Sequence, residues 1–327
     1  MLADTDVLIT GGSGSFGQAM VRHLLGLARG PRRVIVFSRD ELKQHEMARE
    51  LGYKGEVEGE RLRFFLGDVR DQARLRAAFR GVDYVIHAAA MKQVPACEYN
   101  PTEAIDTNIG GARAVVEAAI EVGVKRVIAL STDKAVNPLN LYGATKLAAE
   151  KLFTAANNLA GALDTRFACV RYGNVLGSRG SVLQVWRAQL AAGRKVSLTH
   201  PLMTRFWITV PQAVAFVLIH LEHMLGGEVF VPKLPSCSMV ALAEAVDPDG
   251  GWERIPVRLG EKMHETLIGE DEAARTLSLP EHYVINGREV KGLGWGDFPE
   301  GWSYRSDRNP QSLPAAELAK LVQEALR

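Results

Sequence analysis

The sequence predicts an α/β fold with a doubly wound parallel sheet and a smaller, mixed C-terminal region. Through the first half of the 327-residue chain, short apolar runs alternate with amphipathic segments. This alternation is typical of βαβ units, which place helices on both faces of a parallel sheet. From about Gly173 the alternation stops, and Gly and Pro become frequent. We therefore divide the chain into residues 1–172 and 173–327, and strands of the second part are free to join the sheet.

The apolar runs predict six strands, and the segments between them predict five helices. Short runs rich in Val, Ile, Leu and Phe suit strands that are buried on both faces. The strands are predicted at residues 7–10, 34–37, 62–65, 84–87, 127–130 and 167–170. The helices are predicted at residues 17–27, 40–51, 71–79, 108–122 and 142–159.

The composition argues against several classes of protein. The net charge is only +1, so we expect no binding to nucleic acid or to an anionic membrane. The three cysteines lie far apart, which favours a reduced, intracellular protein without disulfides. No signal peptide precedes the first strand, and the most apolar helix candidate, residues 213–225, is shorter than the roughly 20 residues of a membrane span. We therefore expect a soluble, cytoplasmic protein without membrane partners.

A glycine-rich turn follows the first predicted strand and opens the first predicted helix. Glycine at three-residue intervals lets the chain turn tightly and lets a pyrophosphate approach backbone N–H groups at a helix N-terminus. Alone the pattern is weak, because glycine turns are common after strands, but its position in an alternating α/β sequence strengthens it. The turn predicts a Rossmann-like, dinucleotide-binding domain in residues 1–172, with cofactor contacts from Gly11, Ser13, Gly14, Ser15, Phe16 and Gly17.

The end of the second strand indicates which dinucleotide is bound. An acidic residue there binds a ribose 2′-hydroxyl, whereas arginine suits a 2′-phosphate. Ser38 and Arg39 stand at this point, with Lys43 one helical turn later, so NADP is favoured as the cofactor. Asp40 keeps NAD as the alternative, and Ser38 has a second possible role as a helix cap.

Two further strand ends complete the predicted cofactor site. Asp68, followed by Val69, is placed to accept from the adenine amino group, and the small side chain of Ala88 lets the backbone pass close to the cofactor. His87 is interpreted as a packed histidine without a catalytic role. No metal site is predicted, because His264-Glu265 is not followed by a histidine at the required spacing.

The stretch from Ser131 to Lys146 carries the chemistry. Tyr142 and Lys146 lie four residues apart on a predicted helix, so both face one side, roughly 5–6 Å apart. The positive charge of Lys146 is expected to lower the pKa of Tyr142 from about 10. Asp133 and Lys134 form a second acid/base set at the strand end. If that segment is extended, their side chains point to opposite sides; the alternative is a structural ion pair.

These motifs resemble those of the extended short-chain dehydrogenase/reductase superfamily. More narrowly, the chain is similar to the soluble, inverting UDP-N-acetylglucosamine 4,6-dehydratases that open pseudaminic acid synthesis. Retaining dehydratases of the superfamily usually carry Asp-Glu where this chain has Asp133-Lys134. The other matches are Phe37-Ser38-Arg39-Asp40-Glu41, Met91-Lys92-Gln93-Val94-Pro95, Glu98-Tyr99-Asn100-Pro101, Asn140-Leu141-Tyr142-Gly143-Ala144-Thr145-Lys146, Arg171-Tyr172-Gly173-Asn174-Val175, Met203-Thr204-Arg205-Phe206-Trp207-Ile208 and Gly260-Glu261-Lys262-Met263-His264-Glu265.

The resemblance implies a reaction in three steps. Tyr142 first removes the proton of the sugar 4-hydroxyl while hydride leaves C4 for NADP. Lys134, as a neutral amine, then removes the C5 proton while protonated Asp133 helps the 6-hydroxyl to leave as water. Hydride finally returns to C6, and a proton reaches the opposite face of C5. A lysine acts as such a base only when its pKa falls well below about 10.4.

The resemblance also implies the substrate contacts and a homo-oligomer. The residues expected to contact a UDP-sugar are Lys92, Thr132, Asn174, Thr199, Arg205, Arg258 and Glu265, of which Lys92 also reaches the cofactor. For Arg205 the alternative is an ordinary surface arginine. The segment before Met203 lacks the acidic residue expected from the resemblance. Three alternatives stay open: a retaining dehydratase, a C4 epimerase, and a non-catalytic NADP-sensing regulatory protein.

Overall fold

The structure is a computed structural model that describes residues 2–55, 60–286 and 298–326. Its strands are β1 Asp6–Thr10, β2 Arg33–Ser38, β3 Leu62–Leu66, β4 Tyr84–His87, β5 Arg126–Thr132, β6 Arg166–Tyr172, β7 Asn174–Val175, β8 Val196–Leu198, β9 Thr204–Ile208, β10 Val229–Pro232, β11 Ser236–Ser238, β12 Trp252–Arg254, β13 Thr266–Ile268, β14 Thr276–Ser278, β15 His282–Ile285 and β16 Tyr304–Arg305.

The helices alternate with these strands in the first half of the chain. They are α1 Ser15–Gly26, α2 Glu41–Glu50, α3 Gln72–Phe79, α4 Val94–Tyr99, α5 Pro101–Ile105, α6 Gly111–Val122, α7 Leu141–Ala160, α8 Val182–Ala191, α9 Val210–His223, α10 Met239–Val246, α11 Glu270–Ala273 and α12 Ala315–Leu326. A π-helical turn, Asp106–Gly110, leads into α6, and a single 3₁₀ turn, Asp133–Ala135, follows β5. No described helix is long and apolar enough to cross a membrane.

A large, mostly parallel sheet forms the centre of the described molecule. Its strand order is β14-β15-β10-β6-β5-β4-β1-β2-β3. The strands from β10 to β3 run parallel, and β15 pairs antiparallel with both β10 and β14. The predicted α/β class with a parallel sheet is therefore confirmed. All six predicted strands are present, and β10, β14 and β15 from the C-terminal part extend the sheet beyond β6.

The core lies between the sheet and the helices on its two faces. β1 is buried along its whole length, and Val7, Leu8 and Ile9 have no exposed surface. α3 packs against α6, and α1 packs against α9. The carboxyl ends of parallel strands meet at one edge of the sheet, which is where open α/β sheets bind their ligands.

The C-terminal part builds a second, smaller core around Trp186 and Trp207. Buried residues of α8, α10 and α12 meet β8 and β9 there, including Leu183, Leu242 and Leu318. β9 pairs with β7 and β11, and β8 pairs with β12. This small mixed region lies beside the carboxyl edge of the main sheet, since β7 follows β6 after a single glycine.

Candidate active site

A cleft of about 810 Å³ lies at the carboxyl ends of the parallel strands. Every residue proposed above for the cofactor, the substrate or the chemistry lines it. Several buried polar atoms in its wall have no hydrogen-bond partner among the described residues. They are Thr107 Oγ1, Asp133 Oδ2, Asn174 Oδ1, Ser181 Oγ and Glu265 Oε2. Buried polar groups are normally paired, so these atoms suit a polar ligand in the cleft.

The glycine turn between β1 and α1 fits a dinucleotide. Gly11 has a φ of 65°, and a Cβ there would lie 2.8 Å from the backbone nitrogen of Ala89. A Cβ on Gly17 would lie 2.5 Å from the Cα of Gly12. Gly14, at the N-cap of α1, offers no side-chain cap. The backbone therefore comes close to the cleft, and the first N–H groups of α1 stay available for a pyrophosphate.

The end of β2 and the start of α2 line the cleft next to the glycine turn. Ser38 is buried, and its hydroxyl accepts from Ser13 Oγ at 3.0 Å. The carboxylate of Asp40 accepts from the backbone nitrogen of Lys43 at 3.0 Å and also pairs with the Lys43 ammonium. Asp40, not Ser38, therefore caps α2, and the alternative role of Ser38 as the cap is wrong. The Lys43 ammonium, expected near a cofactor phosphate, is paired with Asp40.

Asp68 lines the cleft but is already engaged by arginines. Arg70 Nε lies 3.1 Å from Asp68 Oδ1, and Arg70 Nη2 lies 2.8 Å from Asp68 Oδ2. Arg39 Nη1 is 3.6 Å from the same Oδ2. Because each carboxylate oxygen has further lone pairs, a contact with an adenine amino group stays a prediction.

The 3₁₀ turn Asp133–Ala135 brings its two acid/base residues together. Lys134 Nζ lies 3.1 Å from Asp133 Oδ1 and 3.3 Å from Glu265 Oε1. Thr132 donates to Asp133 Oδ1 at 2.8 Å. The expectation that Asp133 and Lys134 point to opposite sides is wrong, because the backbone leaves the extended conformation directly after Thr132. The structure instead has the alternative arrangement, an ion pair between Asp133 and Lys134.

The charges of this cluster oppose the effect of burial. Burial raises the pKa of the Asp133 carboxyl, and the nearby Lys134 ammonium lowers it only in part. Burial lowers the pKa of Lys134, but the carboxylates of Asp133 and Glu265 outweigh it and hold that pKa above its ordinary value. The Glu265 carboxyl has a lowered pKa, since Lys134 and Arg205 overcome the effect of burial. The expectation of a lowered pKa for Lys134 is therefore wrong, whereas the raised pKa expected for Asp133 is present.

Tyr142 and Lys146 project from the first turns of α7. Asn140 caps this helix by accepting from the backbone nitrogen of Gly143 at 2.8 Å. Lys146 Nζ donates to the carbonyl oxygen of Leu130 at 2.6 Å, which fixes it at the end of β5. Burial raises the pKa of Tyr142 to about 12, although the Lys134 charge and a hydrogen bond with Thr132 oppose this shift. The expected lowering by Lys146 is wrong, because burial dominates and the cation that acts on the phenol is Lys134.

Arg205 anchors residues 258–265, a segment that we call the strap. The arginine is 6% exposed, so the surface alternative is wrong. Its Nη1 donates to Met263 O at 3.1 Å, its Nη2 donates to Lys262 O at 2.9 Å, and its Nε lies 3.6 Å from Glu265 Oε1. Lys262 Nζ donates to Val136 O at 2.5 Å, which ties the strap to the 3₁₀ turn. Arg205 thus positions Glu265 beside Lys134.

The remaining predicted substrate residues lie at the outer wall of the cleft. Arg258 is exposed, and Thr199 donates to the Met203 sulfur at 3.1 Å. Lys92 Nζ donates to the carbonyl oxygen of Arg179 at 3.1 Å. Their contacts with a sugar nucleotide stay predictions.

Three residues of this site were not identified from the sequence. Arg179 lines the cleft, and its backbone nitrogen donates to Ser15 Oγ at 3.0 Å. Lys262 connects the strap to Val136, and Gln44 contacts the hydroxyl of Ser38. A signal for Arg179 exists in the sequence, since Gly177 and Gly180 flank it and have φ values of 74° and 71°. Lys262 gave no signal beyond its place in the motif Gly260-Glu261-Lys262-Met263-His264-Glu265, and Gln44 gave none.

A buried ion pair supports the end of β5 from below. Arg171 Nη2 lies 2.5 Å from Glu150 Oε1, and Arg171 Nη1 lies 2.8 Å from Glu272 Oε2. Ser131 donates to Glu150 Oε2 at 2.7 Å. These contacts connect β5, β6, α7 and α11 next to the acid/base cluster. They therefore restrain the end of β5, from which the turn that carries Lys134 begins.

Comparisons with known proteins identify the family. A family model described as "Polysaccharide biosynthesis protein" matches residues 7–287. A protein of Campylobacter jejuni named UDP-N-acetylglucosamine 4,6-dehydratase (inverting) is 47% identical, with 98% of each chain covered. A Rickettsia conorii protein named UDP-glucose 4-epimerase is 41% identical over 89% of this chain and 86% of its own length.

Solved structures give the same result for the fold. The X-ray structure of Pen from Bacillus thuringiensis superposes with a TM-score of 0.91 at 36% identity, covering 100% of this chain and 99% of that one. A dTDP-glucose 4,6-dehydratase, DesIV from Streptomyces venezuelae, solved with NAD and TYD bound, has a TM-score of 0.71 at 22% identity. At that identity the likeness concerns the fold alone.

Proposed function

Because this chain belongs to the polysaccharide biosynthesis protein family, we propose that it is a UDP-N-acetylglucosamine 4,6-dehydratase that inverts C5. Its product is UDP-2-acetamido-2,6-dideoxy-β-L-arabino-hexos-4-ulose. The observation that carries the proposal is Lys134, held on the cleft wall between Asp133 and Glu265. Elimination across C5–C6 needs a base and an acid side by side, and this cluster contains both residue types.

The cofactor of the proposed reaction is NADP. Residues 11–17 form the pyrophosphate cradle, and Ser38 and Arg39 stand where a 2′-phosphate would be recognised. Asp40, the residue that favoured NAD, is engaged with Lys43. A bound nicotinamide supplies the acceptor and later the donor of one hydride. The chain's own task is to hold the sugar and to move the protons.

Tyr142 takes the proton of the 4-hydroxyl in this proposal. Its raised pKa leaves little phenolate in the free protein, so the charge of Lys134 and the bond with Thr132 have to stabilise the phenolate that accepts the proton. Oxidation at C4 then makes the C5 proton acidic enough for an amine to remove.

Lys134 and Asp133 carry out the elimination. Glu265 Oε1, 3.3 Å from Lys134 Nζ, is close enough to take the lysine's proton and leave a neutral amine facing the cleft. Because the pKa of Glu265 is lowered and that of Lys134 is raised in the free protein, this transfer requires the bound sugar nucleotide to change the local charge. Asp133, whose buried carboxyl has a raised pKa, keeps the proton that the leaving 6-hydroxyl needs. With Asp133 protonated, the resting state of the base is the Lys134 ammonium paired with the Glu265 carboxylate.

The test is to incubate the purified protein with UDP-N-acetylglucosamine and NADP in D₂O. We expect a product that has lost one water, carries deuterium at C5, and shows the proton couplings of the inverted ring. Mass spectrometry and NMR of one sample measure all three. Absence of water loss with UDP-N-acetylglucosamine and related UDP-sugars would rule the proposal out.

A second candidate function is C4 epimerisation, which the relatives named UDP-glucose 4-epimerase favour. An epimerase oxidises and reduces C4 alone and has no use for a base and an acid at C5–C6. In the same experiment it would give a product of unchanged mass without deuterium at C5. A retaining dehydratase would lose water but keep the configuration at C5.

The proposal extends to the organisation and setting of the enzyme. Residues 1–172 hold the cofactor, and residues 173–327 contribute most of the sugar-nucleotide contacts. By family resemblance we expect a cytoplasmic homo-oligomer that opens pseudaminic acid synthesis. Light scattering of the purified protein measures the subunit number, and a monomer would contradict this part.

A further inference from the structure

Gln44 is a buried amide directly behind the end of β2. Its Nε2 lies 3.0 Å from three oxygens: Ser38 O, Phe65 O and Ser38 Oγ. Two of the three are carbonyl oxygens, which only accept. The nitrogen end of the amide must therefore face this group, and the orientation of the side chain is fixed.

The hydroxyl of Ser38 is consequently surrounded by donors. Gln44 Nε2, 3.0 Å away, shares its two hydrogens among three acceptors and cannot accept itself, so the hydrogen of Ser38 cannot point towards it. Ser13 Oγ donates to the same hydroxyl at 3.0 Å. A serine hydroxyl has two acceptor lone pairs and one hydrogen. With donors at both of these positions, the hydrogen is left to be donated to a third partner, and Ser38 lines the cleft.

The side chains next to Ser38 favour a ligand group that accepts hydrogen bonds. Asp40, the nearby carboxylate that could accept from a ribose hydroxyl, is bound by Lys43. Arg39 lines the cleft next to Ser38 and carries donors only. A phosphate dianion is all acceptor and can take hydrogen bonds from both Ser38 and Arg39, whereas a ribose 2′-hydroxyl also has a hydrogen to donate, for which Asp40 offers only the lone pairs that its bonds from Lys43 leave over.

We propose that Gln44 is a positioning residue that fixes Ser38 as a hydrogen-bond donor and so selects a ribose 2′-phosphate over a 2′-hydroxyl. The inference rests on the proposed use of NADP and adds the residue that sets this preference. Gln44 acts only through Ser38, because it does not line the cleft itself.

The test is fluorescence titration of Gln44→Met with NADPH and with NADH at one ionic strength. Losing a charge-assisted hydrogen bond of about 1.4 kcal/mol corresponds to a tenfold change in affinity. We expect the Kd for NADPH to rise about tenfold and the Kd for NADH to stay within twofold of wild type. Unchanged NADH binding also reports that the variant is folded.

Two further variants make the result specific. In a Ser38→Ala background, Gln44→Met should cost no additional NADPH affinity, because the residue acts through Ser38. Gln189→Met is the matched control, since Gln189 likewise donates to a serine, Ser197, at 2.9 Å. It should leave the ratio of the two Kd values unchanged.

The outcomes separate this inference from the proposals on which it rests. If Gln44→Met weakens both cofactors equally, or neither, the positioning role is refuted. If the wild-type protein binds NADH as tightly as NADPH, the choice of NADP fails, and this inference fails with it. Neither result affects the dehydration assay, which stands or falls on water loss.

Discussion

At the scale of single residues, Lys134 is held by the groups that oppose its proposed task. Asp133 and Glu265 keep its ammonium form stable, while the base for C5 must be the free amine. A protonated lysine beside an acceptor at 3.3 Å is one proton transfer away from that amine. In the proposed mechanism, the cluster therefore keeps the base in its inactive, protonated form until the sugar nucleotide changes the local charge.

Replacing Lys134 tests its role directly. We expect Lys134→Ala to lower the rate of water loss by about 10² to 10⁴-fold, the usual contribution of a general base. NADPH affinity should stay within about twofold, because Lys134 is not among the residues proposed to contact the cofactor. Lys151→Ala, an exposed lysine on α7, is the control and should keep the full rate. A Lys134→Ala enzyme with a normal rate would remove the lysine from the mechanism.

Two buried histidines make stability depend on pH. Burial lowers the pKa of His220 to about 4 and that of His87 to about 3. In the unfolded chain both titrate near 6.5. The unfolded state therefore binds more protons between these values, so stability is fully present above pH 6.5 and is lost as the pH falls below it.

The pH effect is measurable by urea unfolding at pH 7.5 and pH 5. Each buried histidine should cost about 2 kcal/mol of unfolding free energy between these two values. His220→Phe should remove about half of the loss, since His220 already packs against Phe216 and Phe230. Equal pH dependence in the variant and the wild type would show that His220 titrates normally.

At the scale of elements, the active geometry depends on how closely α7 approaches the 3₁₀ turn. A Cβ on Gly143 would collide with the carbonyl oxygen of Lys134. Because that carbonyl belongs to backbone, it can move aside only by shifting the turn that carries Asp133 and Lys134.

Gly143→Ala should therefore misplace both acid/base residues. A displacement of about 1 Å in an active site costs on the order of 10²-fold in rate. NADPH binding should be kept, because residues 11–17 are not involved. Gly110→Ala is the matched control, since an added Cβ there meets nothing within 4 Å. If the two variants retain similar activity, the close approach of α7 has no catalytic importance.

The sequence predicted the buried strands better than the short helices. The apolar runs at residues 7–10 and 84–87 identified β1 and β4, because burial on both faces of a parallel sheet requires such runs. Helices α4 and α5 were missed, since each is under two turns long and starts near a proline, Pro95 or Pro101, without an apolar period. The sequence predicts an extended segment at Asp133, where the structure has a 3₁₀ turn. This turn depends on a local hydrogen bond from Lys134 N to Thr132 Oγ1, which a strand pattern does not contain.

At the scale of the whole molecule, the residues of the site come from both parts of the chain. Motif and resemblance identified the side chains that line the cleft, but the contacts that set their charges depend on the tertiary fold. Glu265 reaches Lys134 only because Arg205 and Lys262 hold the strap over the end of β5. The raised pKa of Tyr142 comes from burial by this assembly, which no local pattern contains.

The sheet itself joins the two parts. β10 pairs with β6 and carries β15 and β14 beyond it. A fragment of residues 1–172 would end in β6 with its buried residues on an open edge. We expect this fragment to lack cooperative unfolding in urea, followed by circular dichroism, whereas the full chain unfolds cooperatively. A fragment that unfolds as sharply as the full chain would show that the first part is an independent domain.

The pairing of β6 with β10 also has a consequence for biosynthesis. β10 leaves the ribosome about 60 residues after β6, which takes roughly 3 to 12 seconds at about 5–20 residues per second. During that interval the β6 edge is open, and open edges pair readily with other strands. A neighbouring nascent chain on the same message presents the same edge at nearly the same moment. The yield of native protein should therefore fall when ribosomes are closely spaced and rise when initiation is slowed.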